Sequence, residues 1–426
     1  MARIAIVGTG YVGLTSGACF AHMGHSVVCA DVDAAKVERL SRGEIPIVER
    51  GLEALVVEGL SSDRLSFVVG AAKAVAAADV VFLCVPTPQG NDGSADLSYV
   101  EAAAAEIGPH LQFEAIVVNK STVPVGSARI VERKLKRPDV KVVSNPEFLR
   151  EGTAVDDFLR PDRIVIGSTD TAAALKVGAL YEALGAPMVI TDPASAEVIK
   201  YAANAFLATK LSFVNAIANV CEGVGADIDD VVLGMGYDRR IGSEFLRPGP
   251  GWGGSCFPKD TRALLKIASD HGYHFDLLAG VIAVNEEQFD RMAAKIAAAT
   301  GGELSGRTVA VWGLAFKAGT DDLRDSPALA VVQRLLAAGA SVRAFDPTVA
   351  GGQPLLPAEV TVCADAIAAC AGADVLAVFT EWELFRWIEP ADVAAAMVGR
   401  VVVDTRNLLE RAAWQHAGFR HEGVGR

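Results

Sequence analysis

Residues 3–13 read RIAIVGTGYVG, and this stretch decides the architecture of the N-terminal half. An apolar strand, Arg3 to Val7, runs into Gly8-Thr-Gly10-Tyr11-Val12-Gly13, and a helix-like run continues to Met23. Strand, G-x-G-x-x-G and helix in that order form a dinucleotide-binding fingerprint. Gly8 permits the tight turn, Gly10 lets backbone approach a pyrophosphate, and Gly13 lets the helix sit close to the sheet. The helix N-terminus offers free N–H groups to the phosphates. A second strand, Ser26 to Ala30, ends at Asp31, where an acid accepts hydrogen bonds from the adenosine ribose. A carboxylate there repels a 2'-phosphate, which favours NAD over NADP. FAD shares the fingerprint, so cofactor identity leans on chemistry further along the chain. Lys36 is placed to close over the adenine ribose, although an exposed helix lysine reads the same way.

Working outward, Val80 to Val85, Ile116 to Val118 and Val142 to Val143 are further strand-like runs separated by helical segments. Such alternation predicts βαβ units and a mostly parallel sheet. Between Pro193 and about Cys221 no glycine or proline interrupts the pattern, which predicts one long helix with Asp192 as N-cap and Pro193 in the first turn. Helical character resumes over Pro258 to Asp270 and Leu277 to Ala299. After Gly301-Gly302 and Gly306 the opening pattern recurs. Thr308 to Trp312 ends in Gly313, Ser341 to Phe345 ends in Asp346, Val375 to Phe379 follows Ala373-Asp374, and Arg400 to Val403 ends in Asp404. The two ends read as two copies of one architecture. The second lacks the triple glycine and is expected to hold a different ligand. The fold expected is α/β, with two Rossmann-like doubly wound domains joined by a long central helix and a helical middle region. The boundaries expected are 1–192, 193–300 (helical and dimer-forming, with the cysteine loop) and 301–426.

A chain of 426 residues with 51% apolar and 21% charged residues packs as two or three ordinary domains. A net charge of -13 argues against a general nucleic-acid binder, which needs a basic surface. The seven cysteines are odd in number and show no metal spacing, so no metal and a reducing, cytoplasmic location are expected. Mean hydropathy is +0.32, but the nearly charge-free stretch from Ile4 to Ala30 is punctuated by glycines, His22 and His25. It suits neither a membrane span nor a secretory signal.

Residues 248–260 read PGPGWGGSCFPKD. The chain approaches Cys256 through Gly253-Gly254, and Pro258 with the run after it predicts a helix beginning just beyond the cysteine. That helix would point N–H groups at the sulfur and favour its thiolate, and Lys259 adds positive charge. A thiolate adds to an aldehyde to give a thiohemiacetal; hydride loss then gives a thioester, which water hydrolyses. The same local sequence fits a buried, inert cysteine beside structural glycines. Glu197, Lys200 and Asn204, three and four apart on the long helix, share one face. Lys200 and Asn204 suit a developing oxyanion, while a solvated stripe with a helix ion pair is the blander reading. Thr122 in Lys120-Ser-Thr-Val-Pro124 and Glu147 in Asn145-Pro-Glu-Phe-Leu-Arg-Glu151 each follow a strand; a turn residue and a surface acid look the same locally. In the C-terminal copy, Lys317, Arg324 and Arg406 follow strands and suit an anionic ligand, or are ordinary surface charge.

These segments together resemble the UDP-glucose/GDP-mannose dehydrogenase family. The matching signatures, in order along nearly the whole chain, are IAIVGTGYVGL, CVPTP, KSTVPVG, SNPEFLREGTAVDDFLRPDRIVIG, AEVIKYAANAFLATKLSFVNAIANVCE, GWGGSCFPKDTRAL, VWGLAFKAGTDDLRDSPA and DTRN. The resemblance implies one Rossmann-like domain for NAD, a second for the UDP part of a nucleotide-sugar, and a long helix that builds a homodimer. It implies oxidation of the sugar C6 alcohol to a carboxylate with two NAD+ and one water, UDP-glucose becoming UDP-glucuronate. It gives Cys256 as nucleophile, Lys200 and Asn204 as stabilisers of the intermediate, Asp260 and Thr122 as a pair positioning a water, and Glu147 as acid/base in thioester hydrolysis. Toward the cofactor it places Gly8, Gly10, Tyr11, Val12, Gly13, Asp31, Lys36, Pro86, Thr87, Ser121, Thr122, Glu151, Lys259 and Arg324. Toward the substrate it places Phe148, Leu149, Arg150, Glu151, Lys200, Asn204, Phe245, Gly249, Gly253, Phe316, Lys317 and Arg406, with Arg240 reaching the neighbouring subunit's substrate. One departure is Asp404-Thr405-Arg406-Asn407, where the family pattern has Gly at the second position; a small change beside Arg406 bears on loop shape at most, and nucleotide binding is expected to survive it. GDP-mannose and a UDP-N-acetylhexosamine are the rival substrates, although GGSCFPKD resembles the UDP-glucose branch. A two-electron hydroxyacid-type dehydrogenase and a non-catalytic nucleotide-sugar binder are the rival activities, and neither needs Cys256.

Overall fold

The structure is a computed structural model that describes residues 1–90 and 92–426. The chain divides into two units. The first is Met1–Ala203 with Arg262–Tyr273, and the second is Asn204–Thr261 with His274–Arg426.

The first unit is built on an eight-stranded sheet. Its strands are β1 (Arg3–Val7), β2 (Ser26–Asp31), β3 (Leu65–Val69), β4 (Val80–Leu83), β5 (Ile116–Asn119), β6 (Lys141–Ser144), β7 (Ile164–Gly167) and β8 (Met188–Thr191). They lie in the order β3-β2-β1-β4-β5-β6-β7-β8. All neighbours are parallel except β6 and β7, which meet antiparallel at Ser144 and Gly167. The order reverses between β1 and β4, the switch point at which doubly wound sheets bind ligands. The apolar run in β1 follows from burial on both faces. Ile4 and Ile6 pack with Leu14, Phe20 and Phe82 on one side, while Ala5 and Val7 pack with Val81, Leu83 and Val117 on the other. The Phe20 ring meets Phe82, Phe158 and Tyr181 at 5.0–5.3 Å, and burying such a side chain contributes about 3 kcal/mol.

The second unit holds six parallel strands: β9 (Thr308–Trp312), β10 (Ser341–Phe345), β11 (Thr361–Val362), β12 (Val375–Val378), β13 (Val401–Asp404) and β14 (Arg420–Glu422). Their order, β11-β10-β9-β12-β13-β14, repeats that of the first six strands. The two copies agree in detail. Gly8 N donates to Ala30 O and Gly313 N donates to Phe345 O, both at 2.8 Å. Asp31 at the end of β2 accepts from Thr9 N, and Asp346 just after β10 accepts from Leu314 N and Ala315 N.

The long helix spans Pro193–Val224, 32 residues, three past the expected end. Asp192 caps it, accepting from Ser195 N at 2.9 Å and Ser195 Oγ at 2.6 Å. The helices expected around Pro258 and Leu277 run over Phe257–Asp270 and Asp276–Ala299. Among the described residues no helix is long and apolar enough to cross a membrane.

Candidate active site

In the first unit the glycine fingerprint is shaped by close approach. Gly8 has φ +96°, and a Cβ on it would lie 2.6 Å from the Cys84 carbonyl oxygen. A Cβ on Gly13 would lie 1.9 Å from Gly8 O, whereas one on Gly10 meets nothing within 4 Å. Among the described residues the backbone at Gly10 is therefore open to a ligand, and no side chain caps the helix Tyr11–His22 behind it. Asp31 accepts from Thr9 N (3.1 Å), Thr9 Oγ (2.5 Å) and Lys36 Nζ (2.9 Å). Burial pushes the Asp31 carboxyl up, but the donors from Thr9 and Lys36 outweigh it and hold it at about 2. An open glycine turn, uncapped helix N–H groups and an ionised acid at the end of β2 fit the pyrophosphate and ribose of NAD. Ser121 Oγ donates to Val85 O at 2.7 Å, tying the Ser121-Thr122 loop to the one that carries Pro86 and Thr87; Thr87 and Thr122 are buried.

Glu49 is a residue the sequence did not single out. Its carboxylate accepts from Gly152 N (2.7 Å), Ala154 N (3.0 Å) and the Tyr11 hydroxyl. The Tyr11 hydroxyl also lies 3.1 Å from Arg150 O. The buried Glu49 thus fastens the fingerprint loop to the Phe148–Glu151 segment and to the start of the helix Ala154–Leu159.

Glu147 and Lys200 form a buried ion pair at 3.0 Å, and Leu149 N donates to the same carboxylate at 2.6 Å. Burial pushes Glu147 up, yet Lys200 beside it leaves the carboxyl below its ordinary value. Arg163 stacks 3.6 Å over the Phe148 ring, and Lys200 Nζ stands 5.3 Å from it. Arg150 grips Asp157 at 2.6 Å. Glu197 accepts from Gly126 N (2.6 Å), Ala128 N (3.2 Å) and Ser144 Oγ (2.9 Å), so it caps the helix Ser127–Leu135 from the long helix. The solvated-stripe reading of Glu197, Lys200 and Asn204 does not hold: they are 3%, 3% and 6% exposed, and each engages a different partner.

In the second unit Cys256 directly precedes the helix Phe257–Asp270, and its carbonyl accepts from Asp260 N at 2.9 Å. The half-buried sulfur lies 3.6 Å from Ser255 Oγ. Asp260, 1% exposed, accepts from Asn204 Nδ2 at 2.6 Å and from Lys259 Nζ at 2.5 Å. The glycines before the cysteine are pressed against the C-terminal motifs. A Cβ on Gly253 would lie 1.8 Å from Asp325 O, and one on Gly254 would lie 2.7 Å from the Phe316 ring. A Cβ on Gly249 would come within 3.2 Å of an Arg406 guanidinium nitrogen, and Arg406 donates to Phe316 O at 3.3 Å, so Gly249, Gly254, Phe316 and Arg406 lie together. Arg406 donates to Phe379 O at 2.7 Å and lies 3.1 Å from Glu381. The unusual Thr405 is buried and donates to Val378 O at 2.6 Å, so the loop keeps Arg406 in place without a glycine. Lys317 Nζ stands 5.6 Å from the Phe316 ring, and the exposed Arg324 grips Asp322 at 2.6 Å. Phe245, at φ +60°, has its ring 6.4 Å from that of Phe257, and the exposed Arg240 pairs with Asp238 at 2.6 Å.

A dinucleotide cradle in one unit, a second doubly wound sheet with a cationic loop in the other, and a cysteine at a helix N-terminus define a nucleotide-dependent oxidoreductase. The chain belongs to the UDP-glucose/GDP-mannose dehydrogenase family, whose NAD-binding, central and UDP-binding domains match residues 2–185, 194–287 and 310–411. NAD is its cofactor. The chain is 48% identical to the UDP-glucose 6-dehydrogenase of Rhizobium meliloti, covering 100% of this chain and 99% of that protein. It is 46% identical to the UDP-glucose 6-dehydrogenase of Pseudomonas aeruginosa, covering 100% and 97%. The solved UDP-glucose dehydrogenase of Pyrobaculum islandicum is 40% identical with a TM-score of 0.91, covering 100% of this chain and 98% of that one.

Proposed function

We propose that this chain oxidises UDP-glucose at C6 to UDP-glucuronate, consuming two NAD+ and one water and releasing two NADH and protons. Bound NAD+ supplies the hydride acceptor for each two-electron oxidation. The Cys256 thiolate, favoured by the N–H groups of the helix that follows it, adds to the C6 aldehyde and keeps it from escaping. Lys200 and Asn204, one turn apart on the long helix, donate to the oxygen that becomes negative. Asp260 with Thr122 positions a water that carries the alcohol proton away, and Glu147 takes a proton from the water that opens the thioester. The observation that carries this reading is Cys256 at the first turn of the helix Phe257–Asp270, in one unit with the Asn204–Asp260–Lys259 network. NADH formed per UDP-glucose is the decisive measurement: two is expected and one refutes the reading. Cys256→Ser should form little acid, and its full turnover would refute the covalent route. Faster initial rates with GDP-mannose would overturn the substrate.

The same proposal includes a homodimer. Phe206, Phe213 and Val220, seven residues apart on the long helix, are 65%, 50% and 58% exposed. Three large apolar side chains at that period form one stripe suited to a second copy. The exposed guanidinium of Arg240, which pairs with Asp238 in one copy, then exchanges that partner for the neighbouring subunit's substrate.

A further inference from the structure

Lys120 follows β5 directly, and its ammonium is buried. Its Nζ donates to Asn145 Oδ1 at 3.0 Å and to the Tyr181 hydroxyl at 3.2 Å. The Tyr181 hydroxyl donates to Asn145 Oδ1 at 2.7 Å, and Asn145 Nδ2 donates to Val165 O at 2.8 Å. Among the described residues no carboxylate lies within ion-pair distance of Lys120. Stability alone does not account for this cation. Burying an ammonium costs several kcal/mol, and an apolar side chain of similar volume is often neutral or stabilising in its place. Without the lysine, Asn145 Oδ1 still accepts from Tyr181, so no partner would be stranded.

The charge does have something to act on. Asn119 at the end of β5 pairs with Ser144 at the end of β6, and Asn145 N donates to Asn119 O at 2.9 Å. Lys120 and Glu147 therefore leave neighbouring strands at the same end of the sheet, with Lys120 bonded to Asn145 two residues before Glu147. Cys84, Glu147 and Lys200 all act electrostatically on Lys120 there. Glu147 in turn interacts with Lys200 and Lys120, accepts from Leu149 N, and acts on Arg163 and Cys84. Among the described residues Lys200 is the cation hydrogen-bonded to it, and Lys200 is the residue assigned above to the substrate oxygen. We propose that Lys120 is a positioning residue that holds Glu147 as a carboxylate during thioester hydrolysis, while Lys200 is drawn to the substrate oxyanion. The proposal rests on the reading of Glu147 as the base of that step. Water adds to the thioester carbonyl as Glu147 accepts its proton, the C–S bond breaks, and the sulfur leaves as the Cys256 thiolate. Burial pushes Lys120 down to about 8, which leaves it charged at neutral pH.

The test compares Lys120→Met and Glu147→Gln in the full-length protein, with UDP-glucose and NAD+. The readouts are kcat and KM across pH, the thermal midpoint, and the mass of acid-quenched enzyme. Loss of a nearby cation raises the Glu147 pKa. Lys120→Met should therefore move the acid limb of the kcat profile up by about one pH unit, lower kcat by up to about tenfold at pH values on that limb, and leave both KM values within about threefold. The quenched Lys120→Met enzyme should carry the sugar nucleotide on Cys256, and its midpoint should not fall. Lys120→Gln carries the same readouts should the Met variant not fold. An unshifted acid limb, or a slower enzyme with no adduct while Glu147→Gln does carry one, overturns the role of Lys120 alone. If Glu147→Gln itself turns over at full rate without adduct, the reading of Glu147 fails and the role of Lys120 with it.

Discussion

Replacing Glu49 by Ala would separate the fingerprint loop from the segment after β6. The wild-type carboxylate accepts from two backbone N–H groups, those of Gly152 and Ala154, and from the Tyr11 hydroxyl. Hydrogen bonds to a charged group contribute about 1.5–3 kcal/mol each. Water entering the vacated space replaces part of this, so about 3 kcal/mol is the expected loss. The first unit has a little over two hundred residues, and a domain of that size loses about 2–4 °C of midpoint per kcal/mol. Its unfolding should therefore come about 6–12 °C earlier. Glu49→Gln keeps one acceptor oxygen but turns an amide N–H toward a backbone donor, so it should fall between wild type and Ala. Burial, with the Glu49 hydrogen bond next, pushes the Tyr11 hydroxyl well above its ordinary range, as expected of a proton held firmly in this clamp. Release of Tyr11 should also raise KM for NAD+ by about fivefold, since a misplaced positioning group typically costs up to about a hundredfold. Thermal melts with and without NAD+, with initial rates over a range of NAD+, measure both effects. A midpoint within about 2 °C of wild type and an unchanged KM would show that the clamp does not hold the loop.

Asp31→Asn should raise KM for NAD+ about tenfold and narrow the preference over NADP+, because the charge that repels a 2'-phosphate is gone; competition between the two cofactors in initial rates checks it. Since the Asp31 pKa is depressed to about 2, its contribution is complete above the ordinary carboxylate range and is lost only as pH falls through about 2; KM for NAD+ should show no Asp31 inflection between about pH 5 and 8. Phe213→Arg, on the exposed stripe of the long helix, should shift the mass seen by light scattering from dimer toward monomer, and a mass unchanged at micromolar concentration would place the interface elsewhere.

The readable parts of the chain were those whose signal is local. The strand running into a glycine, the acid at the end of the second strand and the recurrence of both after Gly306 are spacings of a few residues, and they correspond to two sheets that share one order over six strands. The long helix was readable because nothing between its cap and Cys221 can break it. Strands β3, β7, β8, β11 and β14 were not named. Arg420–Glu422 reads RHE and Thr361–Val362 is two residues long, so neither shows an apolar run, whereas Leu65–Val69, Ile164–Gly167 and Met188–Thr191 are short apolar runs that carry no flanking motif to mark them as strands. The candidate site could be named from the sequence as single residues and not as the pairs they form. Glu147 and Lys200 stand 53 positions apart, Asn204 and Asp260 56, and Glu49 and Gly152 103. Such pairs are fixed by strand order and helix docking, which no local spacing encodes. Glu49 carried no signal at all. Lys120 did carry one, a lysine directly after the apolar run Ile116-Val-Val and Asn119.

Placing Lys200 and Asn204 on a helix rather than on loops has a chemical consequence. Four residues of α-helix rise about 6 Å, and backbone hydrogen bonds hold that separation. The two groups are also anchored at their far ends, Lys200 by Glu147 and Asn204 by Asp260. In the oxyanion role proposed above, a donor already oriented would lose little freedom as negative charge develops in front of it, which is where electrostatic catalysis gains over water. Each of the two residues is anchored by a carboxylate, so each has a proton acceptor one hydrogen bond away. The proposed reaction, which forms and collapses an oxyanion twice, would use that arrangement: a donor to meet the charge and a base to take the proton that accompanies it.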